Sequence, residues 1–572
     1  MRSSLLLFVL VGLSLACAVP QDVPADLILR GGKIVTMDES LWEVEALAAR
    51  DGLVLAIGTN AEIELLAGPR TQVLDLDGRT AIPGFTEGHG HFTGIGRSLM
   101  NVDLRAARNW DEIVETIAAV AAERAPGEWI LGWGWHQDKW DAPPSPAVEG
   151  YPVHDALSAA TPNNPVMLKH AAGSHAGLIN ATVLEIAGID ASTPDPEGGT
   201  ILRKTGGEPT GLLRETAYGI ALRAHAHAME NLSDAERDRL ARREIELANR
   251  ECLSKGVTTL HDAGSSFVDV DRFRALYEQG KLDVRLWVML SESNEALAEQ
   301  MHAYRTVGDA GGRLTVRAIK RVADGALGTH GAWLLEPYVD VDTAGLSTFR
   351  IESLEETARL AREHGFQLCV HAIGDRANRE VLDVFEAAYA GATDLRWRIE
   401  HAQHLHPDDV PRFGGLGVIA SIQAVHCTSD APWVPRRIGD HRAEEGAYVW
   451  RDLMDGGALI VNGTDAPVED VDPLANFISA VTRATRTGDV FYGRQVMTRA
   501  EALAAATTNA AYAAFEENTK GMLLPGMLAD VVVLSRDILS VDVDELPGTR
   551  VEHTIVGGKL LYSADGSAAP KP

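Results

Sequence analysis

Eight short apolar runs alternate with helical patterns along this chain, and that alternation constrains the fold more than any other feature. The runs are Ala81–Phe85, Val257–His261, Val284–Leu290, Thr315–Val322, Gln367–His371, Trp397–His401, Val418–Gln423 and Ala458–Asn462. Helical periodicity appears between and after them, at Ser353–His364, Ala377–Ala390 and Arg499–Phe515. A strand followed by a helix, repeated, builds a parallel sheet, because each helix returns the chain across the sheet face. Eight such units predict an α/β fold of the (β/α)8 TIM-barrel type. The interval from Phe92 to Gly256 is too long for one strand–helix connection, so it must hold an insertion, about residues 93–250. Trp129, Trp133, Trp135 and Trp140 concentrate there. The insertion is expected to cap the barrel mouth, with Trp133 and Trp135 as candidate walls of an apolar pocket.

The barrel is expected over residues 81–514. Before it, residues 22–80 carry β-rich runs separated by Gly and Asp turns, such as Asp26–Arg30, Leu53–Ile57 and Gln72–Leu76. After it, residues 515–565 carry two more, Ala529–Leu534 and His553–Tyr562. The two flanks are alike, and together they predict one small β-sandwich built from both ends of the chain.

Residues 1–20, MRSSLLLFVLVGLSLACAVP, read as a secretory signal: Arg2 starts it, and Leu5 to Leu15 form an apolar core too short to span a bilayer. Two cleavage readings are open. Leu13-Ser-Leu-Ala-Cys17 resembles a bacterial lipobox, which would make Cys17 a lipidated first residue, whereas Ala16-Cys-Ala18 fits ordinary signal cleavage. Either reading exports the mature protein to a bacterial cell envelope. It would be a lipoprotein facing the periplasm or a soluble periplasmic protein, touching the membrane only through an N-terminal lipid. A formal net charge of -29 argues against nucleic acid or an anionic membrane surface as partner, since both require a basic footprint. Cys252, Cys369 and Cys427 are too widely spaced for a thiolate metal site and read as buried small residues.

Barrel active sites form at the C-terminal ends of the strands. The first run leads to His89 and His91, whose alternation in an extended backbone points both imidazoles to one side. The fourth run contains Lys320, the fifth and sixth end at His371 and His401, and the eighth leads to Asp465. Four histidines, a carboxylate and a lysine thus converge on one mouth. Neutral imidazole with carboxylate suits a divalent cation, zinc before manganese or iron. Lys320 sits inside an apolar strand, where an unpaired charge is costly; a salt bridge to Asp324 would leave a site for one metal ion. His426 follows the seventh run and is a candidate hydrogen-bond donor to a substrate carbonyl. Arg376 is a candidate contact to a carboxylate-bearing substrate.

The motifs that carry these residues are Pro83-Gly-Phe-Thr-Glu-Gly-His-Gly-His91, Gly256-Val-Thr-Thr-Leu-His-Asp-Ala-Gly264, Ala323-Asp-Gly-Ala-Leu-Gly328, His371-Ala-Ile-Gly-Asp-Arg376, Arg398-Ile-Glu-His-Ala-Gln403 and Gly463-Thr-Asp-Ala-Pro-Val468. With these the sequence resembles the amidohydrolase superfamily, and within it amidohydrolase family 3, the branch that includes N-substituted formamide deformylases. The resemblance implies two divalent metal ions, Zn2+ above all. His89 and His91 would hold one and His371 and His401 the other, with Lys320 bridging them as a carbamate. Asp465 would ligate the first metal and take the proton of the attacking water. His175 lies in a stretch that resembles a substrate-facing motif of the branch. Glu87 stands where relatives often carry Asp or Asn, and Thr329-His330-Gly331 departs from the branch's commoner Ser-Arg-Thr.

The implied activity is cleavage of an amide C–N bond, N-formyl or N-acyl, in a small molecule by metal-activated hydroxide. The same machinery could open an ester, lactone or cyclic amide. A non-catalytic envelope binding protein on the same barrel would be expected to lack ligands, and here all six positions are filled. The resemblance also allows a homodimer.

Overall fold

The computed structural model describes residues 24–137, 140–170, 176–196, 199–328, 330–389 and 394–566. The chain divides into two compact units, residues 1–91 with 250–572 and residues 92–249.

The first unit holds the barrel. Its strands are β1 (Phe85–Gly90), β2 (Val257–Ser265), β3 (Arg285–Leu290), β4 (Leu314–Val322), β5 (Gln367–Ala372), β6 (Arg398–His401), β7 (Ile419–Ile422) and β8 (Ile460–Asn462). Neighbours from β1 to β8 pair in chain order, all parallel. Strands in such a sheet are covered on both faces, which is why β3, Arg-Leu-Trp-Val-Met-Leu, is buried at every position. The ring is completed beyond the strand ends: the Asp465 N–H donates to His89 O at 2.7 Å and the His91 N–H donates to Ala466 O at 2.8 Å. Gly88 and Gly463 permit this closeness. A Cβ on Gly88 would lie 2.6 Å from Asn462 O, and one on Gly463 would lie 2.3 Å from His89 N.

The apolar run expected as the first barrel strand is two strands of two different sheets. Thr80–Pro83 pairs antiparallel with Val531–Leu534, and the barrel strand begins only at Phe85. Pro83 has no N–H to continue a ladder, and the Gly84 N–H donates to Asp530 O at 2.9 Å, outside the barrel. The expected helix Arg499–Phe515 is likewise two, Arg499–Ala505 and Thr508–Ala513. The break falls at Thr507, whose hydroxyl donates back to Leu503 O at 2.7 Å while its backbone leaves the helical region.

Two further sheets flank the barrel in this unit. One orders Leu53–Gly58, Ala46–Arg50, Leu27–Arg30 and Gln72–Asp75; the other orders Lys559–Ser563, Val551–Val556, Val531–Leu534, Thr80–Pro83, Lys33–Val35 and Glu43–Val44. Their inner faces share one apolar core, with Leu27, Leu47 and Val54 from the first sheet against Ile34, Val531, Val533 and Ile555 from the second.

The second unit has a six-stranded sheet ordered Gly199–Arg203, Pro209–Glu215, Ala176–Ile179, Val166–His170, Ile130–Trp135 and Val102–Asp103. Its core gathers Trp110, Trp135, Trp140, Leu168 and Leu178. Among the described residues no helix is long and apolar enough to cross a membrane.

Candidate metal centre

The C-terminal ends of the barrel strands bring six side chains together. His89 Nε2 lies 3.6 Å from Asp465 Oδ1, and His91 Nε2 lies 3.1 Å from the same oxygen. Lys320 Nζ is 3.2 Å from His89 Nε2. The rings of His89 and His401 are 5.0 Å apart, and those of His371 and His401 are 4.3 Å apart. His89, His401 and Asp465 can each offer a ligand atom within 4.8 Å of the others. His426, in the helix Ala424–Asp430, stacks nearly parallel to His401 at 6.3 Å.

This donor set fits a cation. Among the described residues, Asp465 Oδ1, His371 Nε2 and His426 Nε2 are buried without a well-formed hydrogen bond, the first two facing only other ionisable groups, His91 at 3.1 Å and Asp324 at 3.4 Å. A native protein rarely leaves such atoms without a partner unless a ligand or ion satisfies them. The backbone tells the same story. His401 (φ 76°) and Asp465 (φ 58°) occupy the left-handed region, which costs a non-glycine residue of order 1–3 kcal/mol and clusters at functional sites.

Protonation favours ligation. Burial, reinforced by Lys320, lowers the His89 pKa to about 4, and burial with His371 drives His401 well below its ordinary value. Both rings are neutral at pH 7, as a metal ligand must be. Burial also lowers the Lys320 pKa. Burial would raise the Asp465 carboxyl, but His91 and His89 hold it below its usual range.

His89 and His401 are each oriented by a partner that sequence reading did not single out, and Asp324 and Glu87, which it did name, hold the surrounding loops. His89 Nδ1 donates to Glu400 in a short contact between two fully buried groups. His401 Nδ1 donates to Gln423 Oε1 at 2.6 Å. Asp324 accepts the backbone N–H groups of Trp333, Ile373 and Gly374 at 2.8–3.0 Å and lies 3.4 Å from His371 Nε2. Its carboxylate is thereby committed away from Lys320. Glu87 accepts from Thr464 N and Oγ1 at 2.7 and 2.9 Å and from His89 N at 3.1 Å, which ties the first strand to the Asp465 loop. A signal for Glu400 was present: Arg398 and Glu400 place charges at alternate positions of an apolar strand, hence on one buried face.

The surroundings of the remaining candidates are as follows. Trp135 is fully buried in the core of the second unit, and its indole N–H donates to Leu168 O at 3.0 Å, so it offers no exposed face to a pocket. Trp133 is 39% exposed, with Arg105 over its ring at 4.5 Å. The Arg376 guanidinium lies over Trp333 at 4.6 Å and 3.6 Å from Glu380. His175, Thr329 and Cys17 lie outside the described residues.

A model of the amidohydrolase family matches residues 72–562. Protein LONG AFTER FAR-RED 3 of Arabidopsis thaliana is 34% identical, with 95% of this chain and 92% of that protein covered. A putative amidohydrolase, YtcJ, of Bacillus subtilis is 31% identical over 94% of this chain and 99% of its own. An N-substituted formamide deformylase of Arthrobacter pascens is 26% identical over 95% and 99%. Among solved structures, an uncharacterized metal-dependent hydrolase from Pyrococcus horikoshii superposes with a TM-score of 0.70 at 27% identity, covering 91% of this chain and 99% of that one. The chain belongs to amidohydrolase family 3, a branch of the metal-dependent hydrolases.

Proposed function

We propose that this protein hydrolyses an amide C–N bond, N-formyl or N-acyl, in a small molecule. The observation that carries the reading is the convergence of His89, His91, Lys320, His371, His401 and Asp465, with buried donor atoms that, among the described residues, make no well-formed hydrogen bond. His89, His91 and Asp465 would hold one divalent ion and His371 and His401 a second, with Lys320 carboxylated between them; zinc suits the N/O donor set. A bound divalent cation supplies Lewis-acid polarisation of the carbonyl and acidifies water. Asp465 takes the proton from the water oxygen as that oxygen bonds to the carbonyl carbon. The same carboxylate then delivers the proton to the leaving nitrogen as the C–N bond breaks. His426 Nε2, buried and free of hydrogen bonds, is suited to donate to the carbonyl oxygen. The identity of one relative, an N-substituted formamide deformylase, favours N-formyl amides as the first substrates to try. Residues 1–20 are proposed to export the chain, with Cys17 as the lipid-bearing residue.

The test combines metal analysis with a substrate screen. Purified protein should hold up to two divalent ions per chain and turn over an N-formyl or N-acyl amide. Asp465→Asn should lower kcat by about 10²–10⁴-fold with metal largely retained. Folded protein free of metal after supplementation, or an Asp465→Asn variant with undiminished turnover, refutes the reading. Cleavage of esters or lactones alone would replace the amide assignment and keep the site.

A further inference from the structure

Beneath the metal centre lies a chain of charged and polar side chains, all but closed to solvent, that crosses the barrel interior. Arg398 and Glu400 stand two residues apart on β6, both with fully buried side chains. Arg398 Nη1 donates to His261 Nδ1 on β2 at 3.0 Å. Its Nη2 donates to Gly88 O on β1 at 2.7 Å, to Ser421 Oγ on β7 at 2.7 Å and to Glu400 Oε2 at 3.1 Å. Nε faces Glu400 Oε1 at 2.8 Å. Glu400 Oε2 in turn accepts from His89 Nδ1. One ion pair therefore holds His89 twice, through the carbonyl of the preceding residue and through its own ring.

We propose that Glu400, clamped by Arg398, is the positioning residue of the metal centre: it fixes His89 with Nδ1 protonated and Nε2 aimed at Asp465 and Lys320. The proposal rests on the metal-centre reading above. A carboxylate only accepts at this site, so the ring proton must sit on Nδ1 and the Nε2 lone pair must face the mouth. The two sides of the site are unequal. His401 Nδ1 meets the neutral amide oxygen of Gln423 at 2.6 Å, whereas His89 meets a carboxylate. A carboxylate partner makes an imidazole the more basic ligand. Burying an ion pair often adds little net stability. The pair is thus better explained by what it does to His89 than by what it adds to the fold.

The experiment uses the full chain loaded with Co2+, read by chelator competition and by the visible absorption of the bound ion. Glu400→Gln keeps shape and removes charge. The double variant Arg398→Met/Glu400→Gln also removes the cation that the single variant would leave unpaired. Both should weaken Co2+ binding about 10–100-fold and alter the absorption spectrum, since outer partners of metal-bound histidines act on that scale. Gln423→Ala should weaken it less. If both Glu400 variants bind Co2+ within about twofold of wild type with an unchanged spectrum, the proposal is overturned. It is overturned as well if the double variant restores wild-type binding, or if neither folds, because the pair then serves the fold. If the wild-type chain itself takes up no metal, the metal-centre reading fails instead, which is a separate result.

Discussion

Replacing Asp530 tests how the barrel floor is fixed to the flanking sheets. Arg285 opens β3, and Asp530 directly precedes the strand Val531–Leu534. Their side chains are 3% and 6% exposed and paired in two parallel contacts, Nε to Oδ2 at 2.7 Å and Nη2 to Oδ1 at 2.9 Å. Oδ1 also accepts the Gly557 N–H at 2.7 Å. Asp530→Ala leaves a buried guanidinium whose remaining contact is Gly312 O at 3.1 Å. Breaking one partner of such a pair costs about 3–5 kcal/mol. At a slope of about 3 kcal/mol per M urea, a loss of 3 kcal/mol lowers the unfolding midpoint by about 1 M. Arg285→Met/Asp530→Leu removes both charges and should unfold within about 0.5 M of wild type. The pH dependence has a definite sign. Burial would raise the Asp530 carboxyl, but Arg285 holds it below its ordinary value. Its stabilisation is therefore complete above the unfolded pKa of about 3.9 and is lost as pH falls through the folded one. The gap between wild type and Asp530→Ala should stay constant from about pH 8 to 5 and narrow below about pH 4. The assay is urea denaturation of the full chain followed by tryptophan fluorescence. A midpoint shift below about 0.3 M for Asp530→Ala, or a double variant as unstable as the single one, would refute the argument.

Two other outcomes follow from buried groups. Among the described residues, fully buried His404 has no hydrogen bond at either ring nitrogen, and burial, aided by Arg442, lowers its pKa to about 3. The folded ring stays neutral where the unfolded one protonates, so stability falls by about 1.4 kcal/mol per pH unit as pH drops below about 6.5. His404→Leu should remove that slope, read as urea midpoints at about pH 7 and pH 5.5; an unchanged slope would sink the assignment. Trp135→Ala should cost about 3–5 kcal/mol in unfolding with KM unchanged in the surviving folded protein. A raised KM with little loss of stability would return Trp135 to the role of pocket wall.

The sequence made some parts of this molecule legible for identifiable reasons. Barrel strands such as β3 and β5 are covered on both faces, so their apolar runs stand out against the helices. The run at Ala81–Phe85 misled because apolar periodicity cannot register that one run serves two sheets; Gly84 marks the change, and only the pairing of Pro83 with Val531 reveals it. His89, Lys320, His371, His401 and Asp465 were legible as a set because strand ends in a barrel must converge, whatever the sequence between them. Gln423 was not, and for Glu400 only its burial was signalled, because the histidines of β1 and β6 that these two meet are set by register between strands. Whether Trp135 is buried or lines a pocket has no local signature in sequence; the structure buries it in the core of the second unit.

The backbone at the mouth is held in an unfavourable conformation at two of the candidate ligand positions. β6 ends at His401, and the chain turns there through two left-handed residues, His401 at φ 76° and Ala402 at φ 41°. Asp465 turns likewise at φ 58° after β8. Glycine would adopt each conformation without penalty, but glycine carries no ligand atom. The strain is held by surrounding bonds: the Tyr448 N–H donates to Gln403 O at 2.8 Å, the His404 N–H to Ile373 O at 3.0 Å, and the Val468 N–H to Asp465 O at 2.8 Å. An unfavourable backbone retained at the two points that bear an imidazole and a carboxylate, beside buried donor atoms without a well-formed hydrogen bond, is what a site shaped by its ligand requires.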